Sequence, residues 1–376
     1  MVKTSTMSAH KTRGLSRAAA EALRFLREKS EHNAASVNSE LLALLQEAEV
    51  SLEFYLDTLK VVKAESRIAI HFHPERITKA GITVAEGLLR EGRCLTQFET
   101  GISSGSPTGF AGGVRDEWER KFFGGRYHHQ GASFSERPKY GALMLACFPD
   151  GPAPRFGSSY LILHPEVNKR STYTFGGNQD DLTWKRTGSW KHLDSIFLPV
   201  LEKLKKEGTV LGNHELAAKE FLDLLKLGNM RPARTGKLSN ALDSYVEAQI
   251  HGPVSLREDV EKLVVDRSLY GTELEDTLAK LAVEYELELE WYEGYSARVE
   301  ELPVEFRGYT IDRLLDRIAP DGELTAAKIG TASNSFHEHP DLWSEWGAGG
   351  EGLTYFRRAW HALVYHGQSA SSLGKK

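Results

Sequence analysis

The stretch YVEAQIHGPVSLREDVEKLVVD, residues 245–266, decides the fold because a strand with two unlike faces is followed by a turn and a second apolar run. Successive side chains of a strand point to opposite sides of a sheet. The apolar side carries Val246, Ala248 and Ile250. The polar side carries Tyr245, Glu247, Gln249 and His251. The stretch therefore predicts a strand that buries one face in a core and presents a carboxylate, an amide and an imidazole on the other.

Composition and charge exclude several classes of protein. The chain has 376 residues, of which 40% are hydrophobic, so it can fill a core and is globular. Its net charge of -5 argues against electrostatic capture of nucleic acid as the main function, since phosphate-binding proteins usually carry a basic excess. Cys94 and Cys147 lie far apart and in no CxxC pair, which indicates a reducing compartment.

The N-terminal thirty residues contain neither the apolar segment of a signal peptide nor an apolar run long enough to span a bilayer. We therefore expect a cytoplasmic protein without a membrane partner. Delivery to another cell by a signal-independent route stays open, and with it a role as a toxin or effector.

Helical and β-rich segments follow each other in an order that defines the fold class. Apolar residues at spacings of three and four predict helices over residues 15–30 and 39–63. Short β-rich runs begin with RIAIHFHP at residue 67 and continue with YGALMLACF, SSYLILHP and RSTYTFGG. The later stretch TELEDTLAKLAVEYELELEWY, residues 272–292, starts with a capping-box pattern and is predicted to be helical. This order predicts an α+β fold rather than the regular alternation of a parallel sheet.

These patterns divide the chain into three regions. Residues 1–64 form an N-terminal helical region, residues 65–270 form the core with its β-rich runs, and residues 271–376 form a C-terminal helical region. The core also contains a long segment rich in glycine and aromatic residues, from QFETGISSGSPTGFAGG to FFGGRYHHQGASFSERPK. Loops of such length in a compact domain usually serve a function.

Three motifs of this chain resemble those of an uncharacterised bacterial family of unknown function: QFETGxSxG, RPKYGAL and EAQxHG, over roughly residues 60–310. A second resemblance rests on the order of the elements that carry polar side chains: the strand IHFHPER, a helix that ends LLREG, the strand that starts at Tyr140, the strand in RSTYTF and the late strand with Glu247. This order is similar to the ADP-ribosyltransferase fold, a split β-sandwich that binds NAD in a cleft. The resemblance implies an NAD-binding core of this type, flanked by N- and C-terminal helices. NAD is then the substrate, and the acceptor of ADP-ribose is an unknown protein or nucleic acid, although the sequence carries no strong nucleic-acid signature.

The resemblance assigns roles to particular residues. It implies a catalytic role for Glu247 on the late strand, with Gln249 positioning the ribose or the acceptor. His71 or His73 would hold the ribose and amide of NAD, and Tyr140 would stack on nicotinamide, with Ser171 and Thr172 as rivals for that second-strand position. Arg137 and Arg155 are candidates for the pyrophosphate, because a guanidinium fork matches phosphate oxygens. The QFETG segment would add contacts from Gln97, Thr100 and Gly101.

The chemistry implied by the resemblance needs one carboxylate. Cleavage of the nicotinamide–ribose bond passes through an oxocarbenium-like state, which a nearby carboxylate stabilises. The chain departs from the usual late-strand signature, which has Glu or Gln two residues before the catalytic Glu, because Tyr245 occupies that position. A solvated Glu247, or one paired with Arg257 or Lys262, is the structural alternative.

Two other functions compete with this interpretation. His71 and His73 have the spacing of metal ligands on one face of a strand, so a metal-dependent hydrolase is possible if His128, His129 or Glu247 completes the site. A non-catalytic binding module is the third hypothesis, with the aromatic loop of residues 97–134 contacting the partner.

Overall fold

A computed structural model describes residues 14–102, 109–146, 148–177, 186–227 and 237–373 of the chain. Its α-helices are α1 (Arg17–Glu47), α2 (Leu52–Glu65), α3 (Val84–Glu91), α4 (Gln97–Thr100), α5 (Val114–Phe122), α6 (Asp194–Glu207), α7 (Ala218–Lys226), α8 (Leu256–Asp259), α9 (Glu273–Tyr285), α10 (Asp312–Ile318), α11 (Ala326–Glu338), α12 (Gly349–His366) and α13 (Ala370–Leu373). Short 3-10 helices cover Phe134–Glu136, Pro154–Phe156, Pro165–Arg170, Arg267–Leu269, Val299–Glu301 and Pro340–Trp346.

The strands in the described ranges form one large sheet and three small ones. They are β1 (Ile68–Phe72), β2 (Lys139–Leu143), β3 (Ser159–Leu163), β4 (Ser171–Phe175), β5 (Gly188–Ser189), β6 (Thr209–Val210), β7 (Asn213–His214), β8 (Val246–Ile250), β9 (Val260–Asp266), β10 (Glu288–Tyr292), β11 (Tyr295–Arg298), β12 (Glu305–Phe306), β13 (Tyr309–Thr310), β14 (Glu323–Thr325) and β15 (Gln368–Ser369). The large sheet has the order β10-β9-β3-β1-β2-β8-β4-β5. Its β9–β10 pair is parallel and its other pairs are antiparallel, so the predicted combination of a large β region with many helices is confirmed at that level.

Both faces of this sheet are covered. On one face, the apolar side of β8 joins a core with side chains from α1, α2, α6 and α7. On the other face, a second core contains side chains from α10, α11 and α12. The tryptophans Trp343, Trp346 and Trp360 are buried in this second core. No helix in the described part of the chain has the length and apolar character needed to cross a bilayer.

The stretch over residues 272–292 differs from its helical prediction. Helix α9 ends at Tyr285, and Glu286 takes a left-handed backbone conformation with φ 59°. The stretch ELELEWY, residues 286–292, alternates with period two, and Glu288–Tyr292 within it form β10, which pairs in parallel with β9. Strand β10 of the large sheet therefore lies C-terminal to residue 270, and the short sheet β14-β11-β15 lies in the same region.

The feature that positions the site is an opening in the middle of the large sheet. Both β1 and β2 are wholly described, yet they pair at only two positions, Ile68 with Leu143 and Ala69 with Ala142. Beyond this point β1 continues on β3, and β2 continues on β8. The C-terminal half of β1 and the N-terminal half of β2 therefore separate, and we call the space between them the central cleft.

Gly157 allows the backbone to approach β1 at the edge of the central cleft. A Cβ atom on Gly157 would lie 2.1 Å from the carbonyl carbon of Phe72 and 2.2 Å from its oxygen. Substitution of Gly157 must therefore move backbone atoms of β1 rather than a flexible side chain.

We expect Gly157→Ala to lower the free energy of unfolding by about 1–3 kcal/mol, the usual cost of overpacking. Gly87→Ala in α3 is the matched control, because its Cβ would meet nothing closer than 4.0 Å. That control should gain up to about 1 kcal/mol, since alanine favours a helix interior over glycine. Urea unfolding followed by tryptophan fluorescence measures the free energy of unfolding of both variants. Equal changes in the two would contradict the close approach of Gly157 to the backbone of β1.

Candidate functional site

The central cleft is a cavity with a volume of about 430 Å³. This volume lies in the range of small-molecule sites in proteins. Side chains from β1, β2 and β8 line it, together with residues of α3, α4 and α5 and of the 3-10 helix Pro154–Phe156. Seven of the twelve predicted site residues belong to the lining: His71, His73, Gln97, Thr100, Tyr140, Arg155 and Glu247.

Glu247 lies on β8 with only 7% of its surface exposed. It lies opposite Ala142 of β2 and Thr174 of β4, so it points to the same side of the sheet as they do. The structure excludes the ion pairs that compete with a functional role. Arg257 pairs with Glu284 and Glu286, and Lys262 pairs with Glu288 and Glu290. Glu247 is therefore a buried carboxylate at the cleft rather than a solvated one.

A chain of hydrogen bonds fixes the Glu247 carboxylate from residues that do not line the cleft. The Gln249 amide donates from Nε2 to Glu247 Oε1 at 3.0 Å and to Thr174 Oγ1 at 3.1 Å. The Thr172 hydroxyl donates to Gln249 Oε1 at 3.0 Å and lies 3.2 Å from His251 Nε2. The Tyr127 hydroxyl lies 2.8 Å from His251 Nδ1. The polar row of the strand thus forms one connected network, and Glu247 is its end at the cleft.

The network has one consistent proton arrangement. Thr172 has a single hydroxyl proton, which it gives to Gln249, so it must accept from His251 Nε2–H. His251 then accepts the Tyr127 proton at Nδ1. Burial, together with the charges of Arg27 and Arg170, lowers the pKa of His251 to about 3, so the imidazole stays neutral in this tautomer. Gln249 and Thr172 are not part of the cleft lining, and they act on Glu247 as positioning residues.

Arg115 of α5 is a cleft residue that the sequence interpretation missed. It is 6% exposed, and its guanidinium lies over the Tyr140 ring at 4.0 Å from the centroid. Its Nε is 3.5 Å from Glu119 Oε1, but Nε and Nη2 are buried without a hydrogen-bond partner in the described part of the chain. Tyr140 donates its hydroxyl proton to Glu119 Oε1 at 2.9 Å. The cleft therefore presents a cation stacked on an aromatic ring beside Glu247.

Burial raises the pKa of Glu247 above the usual glutamate range, and the nearby Glu119 acts in the same direction. The charges of Arg115 and Arg155 and the hydrogen bond from Gln249 oppose this rise. Two arginines therefore favour the ionised form of Glu247. The balance between burial and these cations sets the pH at which the carboxylate accepts a proton.

His71 and His73 are both at the cleft but in different environments. His71 donates from Nδ1 to the Gly157 carbonyl at 3.2 Å and accepts the Ala153 amide proton at Nε2, also at 3.2 Å. Both ring nitrogens are thus occupied, and burial lowers the pKa of His71 to about 3. His73 Nδ1 lies 3.2 Å from Glu75 Oε1. No group of three metal-ligating side chains occurs within the described ranges.

Arg137 lies outside the cleft lining. It donates to Glu119 Oε2 at 3.0 Å and to Asp116 Oδ1 at 2.7 Å, and its guanidinium packs on the Phe98 ring. Its N–H groups bond two carboxylates of α5. The geometry therefore gives no support to a phosphate-binding role for Arg137. Arg155, by contrast, lines the cleft and pairs with Asp243.

The remaining predicted residues surround the site. Gln97 and Thr100 of α4 line the cleft, and Gly101 ends that helix with φ 77°. Part of the glycine-rich loop that follows, residues 103–108, lies outside the described residues. Ser171 donates to the Val167 carbonyl and belongs to the opposite side of β4 from Thr172. Cys94 lines the cleft, and burial raises the pKa of its thiol to about 12, whereas Cys147 is outside the described residues.

Tyr245 occupies the position where the resemblance expects Glu or Gln. Its ring packs edge-on against Phe156 at 5.2 Å between centroids, and it lines the cleft. The site therefore has an aromatic wall at this position, next to Arg155, instead of a second polar group.

Two comparisons with known proteins bear on this chain. The sequence profile of the family described as "Protein of unknown function (DUF3626)" matches residues 67–366, which include every residue of the cleft described above. The chain is also similar to the "Gene 2 protein" of Mycobacterium phage D29, with 31% identity over 207 residues. That match covers 54% of this chain and 68% of the phage protein.

The hydrogen-bond network that ends at Glu247 predicts that replacing the Thr172 hydroxyl by a methyl group strongly lowers the free energy of unfolding. We expect Thr172→Val to lower the free energy of unfolding by at least about 2 kcal/mol, because Gln249 Oε1 and His251 Nε2–H both lose their partner and each such loss costs about 1–3 kcal/mol. Thr172→Ser keeps the hydroxyl and should lose only about 1 kcal/mol of buried methyl packing. Urea unfolding compares the two, and a Val variant as stable as the Ser variant would contradict the network.

Proposed function

We propose that the chain, which belongs to the DUF3626 family, is an ADP-ribosyltransferase-like enzyme. It cleaves the bond between nicotinamide and ribose in NAD and transfers ADP-ribose to a protein or nucleic-acid acceptor, or to water. The split β-sandwich type of core is part of the same proposal. The observation that carries it is the buried Glu247 carboxylate, held at the cleft by Gln249 and placed beside Arg115.

The chemistry follows from the charge that develops during bond cleavage. As nicotinamide leaves, positive charge accumulates on the ribose, and a fixed carboxylate stabilises it most strongly where water is excluded. Glu247 is 7% exposed and its position is fixed by the hydrogen bond from Gln249, so no reorganisation is needed to place the negative charge. Nicotinamide leaves as a neutral molecule, and a general acid is therefore not required.

The aromatic and cationic groups of the cleft suit the other parts of NAD. Tyr140 and Tyr245 offer ring surfaces for a planar base. Arg115 has two buried nitrogens without a partner among the described residues, and such donors favour an anionic ligand. The supporting geometry is thus a carboxylate, aromatic surfaces and free guanidinium donors within one cavity.

The competing hypotheses receive less support from the geometry. A metal-dependent hydrolase would need His71 as a ligand, but both of its ring nitrogens already bond backbone groups, and a metal would have to displace one of these bonds. A binding module would not need a buried carboxylate with a raised pKa at its cavity.

We expect Glu247→Gln to reduce the release of nicotinamide from NAD by at least about 100-fold, because the variant keeps the shape and removes the charge. Glu117→Gln on the exposed side of α5 is the matched control and should retain activity. Nicotinamide release, heat stability and NAD binding are measured on all three proteins. A wild type that binds NAD without releasing nicotinamide, or equal rates in wild type and Glu247→Gln, would end the proposal.

The rate should also depend on pH through Glu247. The carboxylate must be ionised, so activity falls as pH decreases through its raised pKa, above the ordinary glutamate value of about 4.3. Removing the positive charge in Arg115→Gln should move this acid limb to higher pH, and removing the negative charge in Glu119→Gln should move it to lower pH. The pH profile of kcat/KM tests both, and shifts in the same direction would show that another group titrates.

A further inference from the structure

Five arginines lie beside the central cleft, and we call them the arginine cluster: Arg76, Arg155, Arg307, Arg357 and Arg358. Arg155 and Arg307 both pair with Asp243, and α12 lies next to Arg155 because Trp360 Nε1 donates to the Pro154 carbonyl at 3.0 Å. The five arginines come from segments far apart in the chain, and α12 supplies two of them. Arg76 and Arg155 also line the cleft. The cluster is thus continuous with the cavity that holds Glu247, whose pKa is influenced by Arg155.

The charges of the cluster act on one another. After burial, the positive charges of Arg155 and Arg307 lower the pKa of Arg358, and those of Arg155 and Arg76 lower the pKa of Arg357. All of them except Arg76 also act on His361 of α12, which is 2% exposed and whose pKa burial and these charges lower to about 2. Like charges at such proximity repel, so the arrangement is unfavourable without a counter-charge.

The described residues only partly satisfy this cluster. Arg155 and Arg307 share a single carboxylate, Asp243. Arg76 Nε is 3.9 Å from Glu75 Oε1, which already contacts His73. The Nε atoms of Arg76, Arg155 and Arg358 are buried and have no hydrogen-bond partner within the described part of the chain. Buried donors of this kind carry a cost that an anionic ligand removes.

Phosphate oxygens match these donors in charge and in geometry. A guanidinium presents parallel N–H groups to two oxygens at once, and several guanidinium groups together can surround a phosphoanhydride. A carboxylate ligand would offer fewer oxygens than the cluster offers donors. Arg76 and Arg155 line the same cavity as Glu247. A ligand whose phosphates bind the cluster would therefore also extend into the cleft.

We propose that the arginine cluster is a phosphate-binding subsite and that it takes the phosphoanhydride of the nucleotide that occupies the central cleft. The identity of that nucleotide as NAD rests on the proposed function, but binding of phosphates can be measured without turnover. The subsite also gives α12 a direct role in ligand binding, in addition to its packing through Trp360.

The test measures binding of inorganic pyrophosphate, ADP-ribose and phosphate-free nicotinamide riboside to the full chain by calorimetry. We expect Arg358→Gln and Arg76→Gln to weaken pyrophosphate and ADP-ribose binding by at least about tenfold and to leave nicotinamide riboside unchanged, since charge-assisted bonds are lost only to phosphates. Arg313→Gln removes the same charge from an exposed side chain paired with Glu345 and should change nothing. Arg358 is partly exposed, so its variant answers the question even if Arg76→Gln does not fold.

The outcomes separate this inference from the proposed function. Cluster-dependent pyrophosphate binding without nicotinamide release supports the subsite and ends the transferase proposal. Nicotinamide release with unchanged ADP-ribose binding in both cluster variants overturns the subsite alone. The same calorimetry is carried out with a short oligonucleotide. If the two cluster variants lose binding to it but keep ADP-ribose binding, the subsite is also overturned, because the cluster would then bind a polyanionic acceptor.

Discussion

The short pairing between β1 and β2 is the constraint on which the rest of the structure depends. Two strands in the middle of an eight-stranded sheet pair at two positions and then separate, and backbone groups at the opening need other partners. His71 supplies part of the solution, because its ring bridges the Gly157 carbonyl and the Ala153 amide. Gly157 makes the bridge possible, since a side chain there would overlap the backbone of Phe72. The cleft is therefore held open by a neutral histidine rather than closed by strand pairing.

A cleft of this kind exposes the polar side of β8, and the hydrogen-bond network explains why that side can be buried. An amide, a hydroxyl, an imidazole and a phenol in sequence satisfy one another, with each proton assigned to one acceptor. A partly satisfied network would cost more than an apolar core. The result is that Glu247, the end of the network, has one side fixed by protein and the other directed to the cleft.

The sequence predicts this part of the site well, because alternation along one strand places Glu247, Gln249 and His251 on the same side without any knowledge of the fold. It does not predict Arg115. The segment VRDEWERKF is so polar that it resembles a solvent-exposed helix, yet Arg115, Asp116 and Glu119 are buried. Arg115 packs on the Tyr140 ring, and the two carboxylates accept from Arg137. Such pairing is a property of tertiary structure and leaves no periodic signal. The same holds for Arg357 and Arg358 of α12. The apolar pattern of this helix predicts the face that packs in the core, but it does not predict that Arg155 and Arg307 lie nearby.

The charges in the cleft offset part of the cost of burying the Glu247 carboxylate, since a buried charge is unfavourable without cations nearby. Arg115 packs its guanidinium on the Tyr140 ring, and Arg155 pairs with Asp243, so both act on Glu247 through space. A direct fork from either arginine would occupy the carboxylate oxygens and leave them unable to face a ligand. Glu119 completes the arrangement, since it accepts from Tyr140 and Arg137 and keeps the aromatic ring beneath Arg115. The cleft thus combines an ionisable carboxylate with guanidinium groups that keep N–H donors without a partner in the described part of the chain. This separation of charges would suit the proposed ligand, which develops a cationic centre and carries anionic phosphates.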